Sequence, residues 1–508
     1  MRDVVINYQT GINEQGLRLN RADVESLLFL FEHKLISQPQ LFQFYTLIKS
    51  IHYDSFRKRI GKFANLGLVQ IKKYSISKKR KGVETNLIQL TTKGHWLLKE
   101  AGFLNDSTFE INQQGAKWDR SLAIKEVVLH AIKSEGQQHG VVIGGENKHL
   151  YLFQKERAAR LNLIGKADDE FPHNTVFISA EQFPLEENTS SDEKSFVLKP
   201  NILYSFRSFI DMFPNVNHES VVEPDWILGI NNNLLNIEVD TGYRTFVKGE
   251  ANNGETITIE EQMKKYVQLV EKYPLQHTVL YVYLDDSFSF KKNYGKKIQK
   301  IRNFKQLIMN DELMKNSPLE IYVLSLESSR NAIETLLRLY RGDITDESLI
   351  NDTFIYLSNK YLIQGKYSSR LLSSNNAREL HYLIPMEELN LHKLFYFSAS
   401  EGGRVEKILI PIPMYEGNVR NQYHLQQLSI QLKENKLKWG LPDDSKILAI
   451  YPNKDSMDKD IFRSDIANEQ VILCNLENLA VTDNNSIFYD TTRKGEMSFD
   501  EATRNYEG

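Results

Sequence analysis

Three carboxylates stand out by their spacing. Asp225 follows a proline in Glu223-Pro224-Asp225-Trp226-Ile227-Leu228-Gly229-Ile230, and Glu238 and Asp240 close Leu234-Leu235-Asn236-Ile237-Glu238-Val239-Asp240. Both stretches read as strands, with Asn231-Asn232-Asn233 as the turn of a hairpin between them. Side chains alternate along a strand, so Glu238 and Asp240 share a face, and hairpin pairing brings Asp225 near them. Carboxylates converging on a strand pair suit Mg2+ or Mn2+, with water and a substrate phosphate completing an octahedral shell. Such an ion activates water or another nucleophile and stabilises charge on a phosphodiester. The structural alternative is that these acids are solvated or paired with a neighbouring base, and Arg244 is close in sequence.

The elements that follow suit the same site. Ile259 to Tyr273 reads as a helix in which Gln262 and Tyr266, one turn apart, project from one side. They either shape a phosphate pocket or form an ordinary helix face. An apolar strand follows, Thr278 to Leu284, and then a basic run from Lys291 to Lys305 with seven Lys or Arg and no acid. That run is either a solvated face or a second DNA contact. Tyr243 is a candidate nucleophile and equally a candidate packing aromatic.

Upstream, the chain carries a second kind of chemistry. From Leu19 to about Gly102 the order reads helix, helix, helix, strand, turn, strand, helix. Asn20, with Asp23 at the third helical position, opens the first helix; Ser37 with Pro39 opens the second; Asp54 caps a third, Ser55 to Asn65. Val69 to Ile76 and Val83 to Leu90 alternate as strands around Ser77-Lys78-Lys79-Arg80-Lys81-Gly82, a hairpin with a charged tip. Leu90-Thr91-Thr92-Lys93-Gly94 starts a closing helix. Between Phe56 and Lys81 stand ten basic residues (Arg57, Lys58, Arg59, Lys62, Lys72, Lys73, Lys78, Lys79, Arg80, Lys81) and no acidic one. They fall on the third helix and the wing, the two parts that a winged helix lays on duplex DNA, where a helix enters the major groove and cations neutralise phosphates. A solvated basic face on a protein-interaction module is the competing explanation.

Taken in order, these motifs resemble a known family. Pro224-Asp225 and Glu238-Val239-Asp240 resemble the PD-(D/E)xK nuclease motif, and Gln262 with Tyr266 is similar to the Gln-x-x-x-Tyr helix of its RecB-like branch. Together with the Leu-Thr-x-x-Gly start of the closing helix, the arrangement over roughly residues 20 to 310 resembles the plasmid replication-relaxation family, relatives of MobC-type relaxases. The resemblance implies a winged helix joined to a nuclease-like core, with Asp225 and Glu238 as metal ligands and Asp240 as a third ligand or water-orienting base. It implies Mg2+ or Mn2+ as cofactor and Gln262 and Tyr266 in the phosphate pocket. Asp240 stands where the nuclease motif has lysine, a substitution that family shares and one that weakens the case for cleavage. Lys248, Lys264 or Lys265 are the ammonium groups available to replace it.

The C-terminal third shows strands at Leu380 to Glu406 and Lys407 to Pro413, a helix over Val419 to Glu434, and strands at Lys446 to Tyr451 and Val471 to Leu476. This repeats the order from Pro224 to Leu326, as a degenerate second copy would, without the carboxylate cluster. Pro411-Ile412-Pro413 suggests an edge strand, and residues 483–508, polar and aperiodic, read as a flexible tail.

Composition bounds these readings. The 508 residues suggest about three domains. The hydrophobic fraction of 41% with 24 Tyr and 26 Phe is that of a folded chain. No apolar run is long enough to span a membrane, the N-terminus lacks a secretory apolar core, and the single Cys474 reads as a buried structural thiol, so the expected location is cytoplasmic. No Walker loop, zinc-type Cys/His cluster or Gly-x-Ser-x-Gly stretch is present. The expected class is mixed α/β in four parts. These are a winged helix (1–110), a nuclease-like α/β domain (111–346), a C-terminal α/β domain (347–482) and the tail. The expected function is recognition of a replication or transfer region in double-stranded DNA, with metal-dependent nicking. The alternatives are a non-catalytic initiator or regulator, and a defence or repair nuclease without sequence preference. Candidate protein partners are a second copy of the chain and other replication or transfer proteins.

Overall fold

The computed structural model describes residues 6–8, 17–75, 84–101, 118–138, 202–204, 222–230, 233–241, 258–273, 275–288, 295–363, 367–399, 406–462, 470–481, 486–491 and 496–503. It is a mixed α/β structure. The N-terminal unit opens with a short antiparallel pair, β1 (Ile6–Tyr8) and β2 (Leu17–Leu19). Then come α1 (Arg21–His33), β3 (Leu35–Ser37), α2 (Gln38–Ile48), α3 (Tyr53–Asn65), β4 (Val69–Ser75), β5 (Glu84–Leu90) and α4 (Thr92–Glu100). The sheet order is β3-β5-β4, all antiparallel. Local chemistry sets the helix starts. Asn20 and Asp23 form a reciprocal capping box on α1, and Ser37 and Gln40 form another on α2, with Pro39 in its first turn. At α3 the N-cap is His52, without a side-chain cap, and Asp54 instead lies in the first helical turn, where its charge suits the helix dipole.

The start of α4 explains its motif. Thr91 Oγ1 accepts from Gly94 N at 3.1 Å and donates to Leu68 O at 3.0 Å. A Cβ on Gly94 would lie 2.3 Å from that same carbonyl, so only glycine lets the helix close on the turn after α3.

Helix α5 (Trp118–Gln138) joins this unit to the next. It packs on α2 and β3 on one side and on β8 and α9, given below, on the other. The middle unit is a five-stranded sheet, β10-β9-β8-β7-β6. Its strands are β6 (Ile202–Tyr204), β7 (Trp226–Ile230), β8 (Asn233–Asp240), β9 (Gln276–Tyr283) and β10 (Glu320–Ser325). β6, β7 and β8 pair antiparallel; β8, β9 and β10 run parallel. The helices here are α6 (Ile259–Lys272), α7 (Ile298–Asn310), α8 (Glu312–Asn316) and α9 (Leu326–Arg341). One sheet face, with Leu235, Ile237 and Val239, joins the core of α5 and α9; the other, with Leu234, Val279 and Tyr281, joins α6 and α7.

The chain continues through α10 (Asp346–Ile363), β11 (Tyr367–Leu372), α11 (Ser374–Glu379), β12 (Leu394–Ala399), β13 (Glu406–Pro413) and α12 (Val419–Asn435). After these come β14 (Lys446–Tyr451), α13 (Lys454–Lys459), β15 (Val471–Asn475), α14 (Leu476–Ala480), β16 (Ser486–Tyr489), β17 (Glu496–Ser498) and α15 (Phe499–Thr503). β11 to β17 form one seven-stranded sheet in sequence order. An antiparallel pair (β12, β13) leads into three parallel strands (β13, β14, β15), the pattern of β7 to β10.

Two expectations are corrected here. β13, with its prolines, is central rather than an edge. β12 begins at Leu394 and its register with β13 ends at Phe395↔Leu409, while Met414 N and the alternate residues before it face β14. Pro411 and Pro413 thus direct their missing donors to the side where β12 has already ended. The expected flexible tail instead contains β16, β17 and α15, with Phe488 and Phe499 buried and Lys407 Nζ donating to Asp500 (3.1 Å) and Thr503 (2.6 Å).

Candidate metal and nucleic-acid site

The carboxylates lie at the carboxyl end of β8. Asp225 N donates to Ile237 O and Val239 N donates to Asp225 Oδ2, each at 2.9 Å, which fixes the first carboxylate beside the strand carrying Glu238. Glu238 and Asp240 are both buried. Tyr266 of α6 donates its hydroxyl to Glu238 at 2.8 Å, and Tyr281 of β9 donates to Asp240 at 2.9 Å. Burial, then the Glu238 charge, raises Tyr266 well above the usual phenol range, so it stays a donor. Gln262 lies one turn earlier on the same buried face of α6.

The positive charge at the site comes from a residue that motif reading did not single out. Arg120, in the first turn of α5, donates through Nη2 to both oxygens of Asp225, at 2.9 and 3.1 Å, and through Nε to Val239 O at 3.0 Å. Its Nη2 is 3.8 Å from Glu238 Oε2. Lys125, one turn on, is buried; burial lowers its ammonium to about 7, against the pull of Asp225. Neither was legible, because Arg120 stands 105 residues before Asp225 and only the packing of α5 brings them together.

Of the lysines considered as replacements, Lys264 and Lys265 are among the described residues. Lys264 points outward to Glu260 at 2.6 Å, while Lys248, Tyr243 and Arg244 fall outside the described residues. Among the described residues, no group of three or more His, Cys, Asp or Glu is arranged to hold a metal ion. The oxygens that do converge, two carboxylates and the Val239 carbonyl, are hard donors of the kind Mg2+ or Mn2+ takes.

On the N-terminal unit, α3 buries Phe56, Ile60 and Phe63 and exposes Arg57, Lys58 and Lys62; Lys73 of β4 is exposed as well. Arg57 makes one solvated contact, 3.6 Å to Asp54. Six of the ten basic residues are among the described residues, and two of those turn inward. Arg59 Nε donates to the buried Asp23 at 3.1 Å, its Nη2 also reaches Asp23 and Arg18 O, and its guanidinium covers Phe63. Lys72 donates to Gln89 at 3.1 Å. Lys78, Lys79, Arg80 and Lys81 lie outside the described residues.

The later basic run divides in the same way. Lys296 is exposed, whereas Lys305 is fully buried against Asp460 and is no DNA contact; Lys291 and Lys292 are outside the described residues. Cys474 is buried, which raises its thiol. Among the described residues, no helix is long and apolar enough to cross a membrane.

No family model matches the chain, and no curated protein does. A solved structure, Bacillus subtilis PadR in complex with operator DNA, aligns at 12% identity over 28% of this chain and 90% of its own, with a TM-score of 0.15, too low for the match to bear on fold or function.

Proposed function

We propose that the chain binds duplex DNA through its N-terminal unit, used as a winged helix, and engages or nicks one strand at the β8 carboxylates with Mg2+ or Mn2+, as a plasmid or mobile-element protein of the replication-relaxation type. The observation that carries the DNA reading is the division of α3: an apolar face into the core, and Arg57, Lys58 and Lys62 left to solvent. For the metal, Asp225, Glu238 and the Val239 carbonyl supply the donors, with Asp240 as the further carboxylate that orients water. When bound, the ion would stabilise charge on a phosphodiester and lower the pKa of a water. Tyr266 holds Glu238 in place, and the middle sheet supports a PD-(D/E)xK-like reading, with a hairpin leading into parallel strands.

A second reading, a non-catalytic initiator or regulator, is favoured by one observation: Arg120 already stands as counter-ion to Asp225, with Glu238 3.8 Å away. Incubation with supercoiled plasmid carrying its replication or transfer region, with and without Mn2+, separates the two. Conversion to open circle that is lost in Glu238→Gln supports nicking. Site-specific binding without cleavage favours the second reading. For DNA binding itself, Arg57→Ala/Lys58→Ala/Lys62→Ala is expected to flatten the salt dependence of affinity by about 2–3 in log–log slope. An unchanged slope removes α3 from the interface. Arg59 stays in place in this variant, because it binds Asp23.

A further inference from the structure

Arg120 is placed as a cation in a cation site. Its guanidinium meets both oxygens of Asp225 and the carbonyl of Val239 and lies 3.8 Å from Glu238, the same oxygens that a divalent ion would need. A planar fork of donors can span several oxygens at once, which a point-charge ammonium cannot. Guanidinium and metal ion compete for these atoms, because two cations held this close repel each other and both draw on the same oxygens.

The helix that carries Arg120 is gripped from the N-terminal side. Gln40 of α2 donates to Leu122 O, two residues on, at 2.8 Å, and Tyr74 of β4 packs edge-on against Trp118, two residues back, with ring centroids 5.3 Å apart. Gln40 also completes the capping box of α2, so its side chain is fixed at both ends. A further contact crosses directly, His33 against Trp226 at 4.7 Å, beside Asp225 in sequence. Tyr74 lies one residue from the exposed Lys73, on the hairpin strand of the basic surface.

We propose that Arg120 is a built-in counter-ion that closes the Asp225–Glu238 pair to divalent cations, and that the N-terminal unit sets its position through α5. This rests on the reading of the pair as a cation site. DNA docking that shifts β4 or α2 moves the first turn of α5, withdraws the guanidinium and opens the pair. Cation binding and DNA binding then favour each other by the same factor, as linkage requires.

The test is Mn2+ affinity of the full chain, read from the electron paramagnetic resonance signal of free Mn2+, without DNA and without any assay of cleavage. Arg120→Gln is expected to bind Mn2+ at least about tenfold more tightly than the parent, and Gln40→Ala to shift affinity in the same direction by less. Adding Glu238→Gln to Arg120→Gln abolishes the gain. Arg120→Lys, which keeps a charge at the pair while losing the fork, gives an intermediate affinity and serves if the Gln variant does not fold. Equal Mn2+ affinity in parent, Arg120→Gln and Arg120→Lys, lost with Glu238→Gln, overturns the proposal while the cation site stands. No Mn2+ binding in any variant overturns both. Gln40→Ala indistinguishable from the parent overturns the coupling to the N-terminal unit.

Discussion

Lys125 lies wholly inside the protein, one turn from Arg120, where its ammonium has traded water for the Asp225 field and the Ser121 hydroxyl. Burial brings it to about 7, from 10.5 in the unfolded chain. Between those values the unfolded chain binds more protons, so stability rises with pH across that window. The cost of burying the charge is fully present below about 7 and vanishes above about 10.5. Lys125→Met is therefore expected to stabilise the fold by on the order of 2–4 kcal/mol at pH 7, with the gain fading toward pH 10. Urea titrations at several pH values check this, and a gain that does not vary with pH would assign the effect to packing. At this scale, residue types were legible and partners were not. The approach of Asp225 to the Glu238 strand and the side of Tyr266 could be read from a hairpin and one helix, whereas Arg120 and Lys125 enter only through a helix laid across the sheet.

Elements were legible where their signals are local. The capping pairs Asn20–Asp23 and Ser37–Gln40 act within three residues, and the starts of α1 and α2 follow from them. β3 went unread because three residues offer no alternation to detect, and α10 because its apolar positions meet several elements instead of one face. The start of α4 gives a test that opposes helix propensity. Replacing a helical glycine by alanine ordinarily stabilises by about 1 kcal/mol. Gly94→Ala is expected instead to destabilise by ~1–3 kcal/mol, because the added carbon meets the Leu68 carbonyl that Thr91 also binds. A thermal midpoint equal to or above that of the parent would mean that the turn before β4 yields easily.

Across the whole molecule, one apolar cluster runs from Leu27 and Phe44 through α5 to Val239, Leu357 and Phe397, so the three units share a core. Their polar junction is as tight. Lys305 of α7 donates to Asp460 at 3.1 Å and to Ile461 O at 2.8 Å, and Asp460 also accepts from Gln422, Tyr451 and Gly417 N. Gly417, at φ +82°, accepts from Val323 N of β10 at 2.9 Å, and a Cβ there would lie 3.1 Å from the Val323 carbonyl. Removing one partner of a buried ion pair strands the other, so Lys305→Ala is expected to cost ~3–5 kcal/mol, read by denaturant unfolding. A loss under 1 kcal/mol would mean that water reaches Asp460 in its place.

The same junction bears on how the protein comes apart. Because the ammonium of the middle unit has its counter-charge in the C-terminal one, neither half can melt alone without breaking that pair and baring the apolar core the units share. Heat or protease should therefore meet an all-or-none object: one calorimetric transition spanning both sheets, and no long-lived fragment cut between α10 and β11.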